Sequence, residues 1–193
     1  MNKTRKLTTM SVMTALSVIL VALIHFPIFP AVAFLEYDPA DVAILICGFA
    51  FGPGAGLAVT LVASLIQGLT VSAQSGIYGI IMHVLATGVY VTVASLIYSR
   101  HKSKKMAAIS LIVGSLAMTA TMFCANLLVT PYFMMGAVNA DTIGVVLGLM
   151  PFILLFNLIK ALGNGLITFL LYKHVKHLIT HVGENHKKEA NIG

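Results

Sequence analysis

The sequence predicts an all-α fold: a polytopic membrane protein built as a six-transmembrane-helix bundle. Three observations carry this reading. Of 193 residues, 59% are hydrophobic and 9% charged, where soluble domains carry about a quarter charged. The apolar residues fall in runs close to the roughly 20 residues that a membrane span needs. The basic residues collect between those runs, not inside them.

The elements follow in order. The first span is expected over Thr8 to Phe29. The second, Pro39 to Phe51, is short and carries Asp41 at its start. Pro53 with Gly52, Gly54 and Gly56 then leaves open whether spans two and three form one broken element. The third runs from Pro53 to Val71, the fourth from Gly76 to Tyr98, the fifth from Met106 to Thr130 and the sixth from Ile143 to Tyr172. The whole chain, 1–193, reads as a single membrane-embedded domain, with 1–7 as N-terminal segment and 178–193 as tail. "MNKTRK" followed by Ala31-Val-Ala33 resembles a signal peptide with its cleavage site. The long apolar part ending in "HFPIFP" points to an uncleaved first helix.

Charge gives the orientation. Lys3, Arg5 and Lys6 precede span one, Arg100 to Lys105 lie between spans four and five, and Lys173, Lys176, Lys187 and Lys188 follow span six. With an even number of spans all three groups share one face. The positive-inside rule makes that face, and both termini, cytoplasmic. The net charge of +6 is thus divided among membrane edges, which excludes a nucleic-acid-binding surface and makes the lipid bilayer the partner.

Lys160 alone among the basic residues is left over. An ammonium at a helix centre costs about 2.5–3.5 kcal/mol. Tyr172, at the span's end, is about 18 Å away along the helix, beyond comfortable snorkelling reach. No carboxylate lies in a span core, so an ion pair would require a loop acid to fold inward. Asn157, Lys160 and Asn164 share a helical face at i, i+3, i+7. They are expected to form the wall of a site for a ligand with carbonyls and hydroxyls. Gln67 and His83 are expected to be interhelical hydrogen bonds. Gly48, Gly52 and Gly56 read as close helix packing. Cys47 and Cys124 read as buried free thiols. His174, His177 and His181 read as a basic interfacial helix, and no metal site is expected.

Several function classes lack their parts. There is no G-x-x-x-x-G-K-[ST], no G-x-S-x-G, no H-E-x-x-H and no paired intramembrane aspartates. No catalytic residue is assigned, and the chain is not expected to be an enzyme. No inverted repeat supports a self-contained rocking transporter.

"FLEYDPADVAILICGFAFGPGAG" (Phe34 to Gly56), an acidic loop, short helix and FGPxxG, resembles the substrate-binding S components of energy-coupling-factor (ECF) vitamin transporters. "CANLLVTPYFM" (Cys124 to Met134) and "PFILLFNLIKALGN" (Pro151 to Asn164) are similar to the riboflavin-specific subfamily. The resemblance spans about Lys6 to His177. It implies six helices with both termini inside, and a vitamin bound near the outer surface under loop one. It also implies partnership with a transmembrane coupling subunit and two cytosolic ATPase subunits, with tilting to release substrate inward. By matching position, riboflavin would meet Asn126, Asn157 and Lys160 with loop-one residues Leu35, Glu36 and Tyr37. The family's A-x-x-x-A coupling-subunit contact maps to Ser11 and Ala15, although Ile19 departs from the pattern. Riboflavin would be the transported ligand and not a cofactor. An anionic vitamin such as pantothenate, paired by Lys160, is the alternative substrate. A non-transport membrane scaffold is the alternative class.

Overall fold

The computed structural model describes residues 3–190, with side chains described as far as Tyr172. Six α-helices make up the architecture. Helix α1 (Lys3–Leu23) leads into a loop holding strand β1 (Phe26–Pro27), a 3-10 turn and strand β2 (Glu36–Tyr37). Helices α2 (Ala40–Phe51) and α3 (Pro53–Leu69) follow, then α4 (Gly76–Arg100), α5 (Lys104–Met135) and α6 (Ala140–Ala190). Helices α1, α4, α5 and α6 are long and apolar enough to cross a membrane. Helix α2, with 12 residues, reaches about 18 Å and α3 about 26 Å, short of the ~30 Å hydrocarbon core. The chain is therefore an all-α membrane protein.

The first helix ends earlier than the hydropathy suggests. It stops at Leu23, not Phe29, because Pro27 and Pro30 cannot continue a helical hydrogen-bond ladder. Instead Phe26 and Pro27 pair antiparallel with Tyr37 and Glu36. Helices α5 and α6 begin two to three residues before the expected spans and carry Pro131 and Pro151 within them. Ser103 Oγ caps α5 by accepting the Met106 N–H at 3.2 Å, and Gly136 ends it in the left-handed region at φ 71°. Asn139 and Thr142 exchange side-chain and backbone hydrogen bonds at the start of α6, which fixes the loop bearing Asp141.

Helix α2 is the axis of the bundle. Ala40 to Phe49 are buried on every face, which explains why its sequence is apolar all round. Gly52, at φ 93°, makes the bend between α2 and α3, and Pro53 opens α3. The glycine spacing read from sequence then has a direct cause. A Cβ on Gly48 would collide with Ser95 Oγ and Val91 Cγ2, and one on Gly56 would stand 2.5 Å from Val91 Cγ2 and 3.1 Å from the Gly48 backbone. Far from loop one, Phe49 stacks on Tyr98 at 4.4 Å, and the Tyr98 and Tyr172 hydroxyls share a 2.9 Å hydrogen bond.

Both cysteines are free, but only Cys47 is buried; Cys124 is exposed on α5. The expectation of two buried thiols is corrected there, since Cys124 lies on an outward face of its helix. His174, His177 and His181 lie outside the described side chains.

Substituting Gly56→Val should lower the melting temperature in detergent, by overpacking worth about 1–3 kcal/mol. Gly54→Ala, where an added Cβ meets nothing within 4 Å, should leave it unchanged or slightly raised.

Candidate functional site

Loop one folds into the bundle. Its hydrogen-bonding groups therefore need partners inside the protein, since backbone without a helical ladder is tolerated at membrane depth only where it is buried in protein or lines a cavity. The sequence supplies them from α6 and from the start of α2. Lys160 Nζ of α6 lies 2.6 Å from Asp38 Oδ2, while Asp38 Oδ1 accepts the Ala40 N–H opening α2 at 3.0 Å. Asn164 Nδ2 donates to the Asp38 carbonyl at 2.9 Å and to Asp41 Oδ2 at 3.0 Å. Tyr37 donates its hydroxyl to Asn164 Oδ1. Asp41, wholly buried, sits in the first turn of α2, where the helix dipole favours an anion. Its Oδ1 accepts the Thr87 hydroxyl of α4 at 2.6 Å.

The lone charge expected at Lys160 is thus corrected. A loop acid does fold inward, and the ammonium has a carboxylate partner. Burial works to raise the Asp38 carboxyl. The Lys160 ammonium, with His83 and the Ala40 N–H, outweighs that and holds Asp38 below its ordinary value of 3.8. Burial, with Asp38 next, pushes the Tyr37 phenol up.

Above this network lies a cavity of about 160 Å³ with an open mouth. It sits at the end of the bundle where α1, α3 and α5 finish and α4 and α6 begin. Asn126 (α5), Asn157 and Lys160 (α6), with Leu35 and Glu36 of loop one, line it. The expected residues thus converge from three segments far apart in sequence. Tyr37 and Asn164 do not line it: they bond to each other and to the loop beneath it. Ser11 and Ala15 are exposed on α1 and take no part in the cavity.

The amides keep hydrogen-bonding capacity in reserve. Asn157 Nδ2 donates to the Ile153 carbonyl at 2.8 Å, which leaves one N–H and its Oδ1 for a ligand. Asn126 Nδ2 donates to Met122 O and its Oδ1 accepts from Thr130, leaving one N–H. Gln67 and His83 do bridge helices, to Ser17 and Ser64 respectively, but both also line the cavity. The remaining wall is mostly apolar and aromatic, with Phe34, Tyr78, Met118, Met122, Phe133 and Phe156, interrupted by serine and threonine hydroxyls and His25. These were hidden in the sequence among many equally apolar neighbours. The role of Asp38 was also missed, although its place in the acidic cluster "EYDPAD" was a usable signal once Lys160 needed a partner.

A buried, mostly apolar cavity with a few unspent amides is the site of a small-molecule-binding protein, here embedded in a membrane. The chain belongs to a family defined as the substrate-specific component of ECF transporters, whose model matches residues 5–172. These are transport components and not enzymes. The chain is 29% identical over 188 residues to riboflavin transporter RibU of Staphylococcus aureus, covering 94% of this chain and 96% of the relative. It is 27% identical over 183 residues to riboflavin transporter FmnP of Bacillus subtilis, covering 90% and 93%. A solved S component of a bacterial ECF transporter superposes with a TM-score of 0.78 at 26% identity, covering 93% of this chain and all of the other.

Lys160→Met should lower the melting temperature, because it strands the buried Asp38 carboxylate at a cost of about 3–5 kcal/mol. Adding Asp38→Asn should recover most of the loss, as read by thermal unfolding of single and double variants in detergent. In the parent, the contribution of Asp38 is full at neutral pH. It is lost only as pH falls below its ordinary value toward its depressed folded one.

Proposed function

We propose that this chain is the riboflavin-binding subunit of an ECF uptake transporter. The observation that carries the reading is the pairing of Asn157 and Lys160 on an apolar, aromatic-lined cavity. The pyrimidine edge of an isoalloxazine ring offers carbonyls and ring nitrogens as acceptors and one imide N–H as donor. A carboxamide with a free Oδ1 and a free N–H complements the imide, and the Lys160 ammonium keeps N–H donors beyond the one given to Asp38. Asn126 donates from α5, and Leu35 covers the ring from loop one beside Glu36. Tyr37 and Asn164 hold that loop from below. The likeness to riboflavin transporters over nearly the whole chain supports the same ligand.

An anionic vitamin such as pantothenate fits less well. Lys160 is already neutralised by Asp38 at 2.6 Å, so a ligand carboxylate would have to compete for it. A scaffold without a ligand leaves the unspent amide groups of the cavity without a purpose.

The remaining parts of the reading concern topology and partners. All six helices, α2 and α3 included, form the membrane-embedded domain spanning 1–193. The termini, including 1–7 and 178–193, face the cytoplasm, as the grouping of basic residues indicates. The cavity then opens outward. Without a nucleotide-binding motif of its own, the chain takes its energy from a transmembrane coupling subunit with two cytosolic ATPases. The exposed Ser11 and Ala15 of α1 are the surface offered to that coupling subunit.

Asn157→Leu keeps side-chain size while removing the amide, so riboflavin affinity should fall about ten- to a hundred-fold. Quenching of flavin fluorescence by the purified variant measures this, and unchanged affinity would contradict the pose. For topology, Ser103→Cys in a chain lacking Cys47 and Cys124 should resist impermeant thiol reagents in intact cells, and Asn139→Cys should react. Labelling at position 103 from outside would overturn the orientation.

A further inference from the structure

We infer that the groove between α5 and α6 is a binding site for one anionic phospholipid, whichever ligand the cavity takes. The lipid's acyl chain lies in the groove and its headgroup rests on Lys104 and Lys105. The groove shares no lining residue with the cavity. Leu111 and Ser115 of α5 and Gly165 of α6 are buried along its floor, while Ile112, Leu162 and Leu166 stand exposed at its rims. The one side-chain hydroxyl among them, that of Ser115, donates to the Leu111 carbonyl at 2.8 Å. The surface left to an occupant is therefore carbon.

Position and charge decide the occupant. Both helices are long and apolar enough to cross a membrane, so a groove with apolar rims along them meets acyl chains. The surface proposed for the coupling subunit lies on α1, which packs against α2 and α3, so the groove belongs to a different pair of helices. Lys104, Ala108, Leu111 and Ser115 follow at i, i+4, i+7 and i+11. Lys104 thus stands one turn beyond the groove on the same face of α5. Lys105 is its neighbour, and both are exposed and outside any ion pair among the described residues. Cations in the first turn oppose the helix dipole, and the first turn of α5 holds no acid to balance them. A phosphodiester supplies that anion at the level where a chain leaving the groove would end. Basic pockets between membrane helices hold anionic headgroups in this way.

The chain has no tryptophan, so a single introduced one reports locally. Leu166→Trp at the rim and Leu61→Trp, an exposed position on α3, are each made in the full chain. Each purified variant is reconstituted in phosphatidylcholine vesicles, and brominated phosphatidylglycerol is compared with brominated phosphatidylcholine as quencher. With Leu166→Trp the anionic lipid should quench at a mole fraction lower by about five-fold or more, and with Leu61→Trp by much less. Adding Lys104→Gln with Lys105→Gln should abolish the preference at the rim, and Lys104→Arg with Lys105→Arg should keep it. Equal quenching by both lipids at the rim, the same preference at both reporters, or a preference untouched by the glutamine pair would overturn the inference. A rim reporter quenched by neither lipid would show a second copy of the chain seated in the groove, and would overturn it too.

Discussion

The ion pair between Asp38 and Lys160 is the interaction on which the rest of the site depends. A lysine in the middle of a long apolar helix is costly unless something meets it. What meets it is a loop acid, 122 positions earlier in the chain. Such a buried pair adds little net stability compared with an apolar substitute, and its attested use is to specify one arrangement over others. Here it specifies how far loop one descends into the bundle and where α2 begins.

The surrounding groups complete that arrangement. Asn164 ties the loop carbonyl to the α2 carboxylate and accepts from Tyr37, while Thr87 of α4 closes on Asp41. Loop one, α2, α4 and α6 are thereby joined at one level, and the cavity forms directly above. Close glycine contacts along α2 and α3 hold the lower half of α2 against α4. The upper half can then hold polar residues without loosening the whole. Among the described buried polar side-chain atoms, only His83 Nε2 and Ser95 Oγ lack a hydrogen-bond partner. That near-complete satisfaction is what a low-dielectric interior demands.

Much of this was legible in the sequence because membranes impose simple rules. The long apolar runs placed α3 and α4 within two residues and the starts of α5 and α6 within three, and the Gly52-Pro53 pair marked the bend. Asn126, Asn157 and Lys160 stood out because polar residues are rare in spans. The end of α1 was not legible from hydropathy, because "ALIHFPIFP" is apolar but for His25 and hydropathy does not register that a proline breaks the ladder. The inward fold of Asp38 was legible only as a condition, that a loop acid meet Lys160, since distance along the chain does not say which acid of "EYDPAD" re-enters. Asn164 shared a helical face with Lys160 and was read as part of the same wall. The few ångströms of depth between them put one at the cavity and the other beneath the loop.

The most direct test of the account is the distance between loop one and α6. Spin labels at Ala33→Cys and Leu155→Cys, both exposed positions, can be placed in a chain lacking Cys47 and Cys124 and measured by pulsed electron resonance. The account predicts one narrow distance distribution in the parent and a broad one, shifted to longer distances, once Asp38→Asn removes the charge that meets Lys160. An equally narrow distribution in both would show that loop one is held by something other than this ion pair, and would contradict the account.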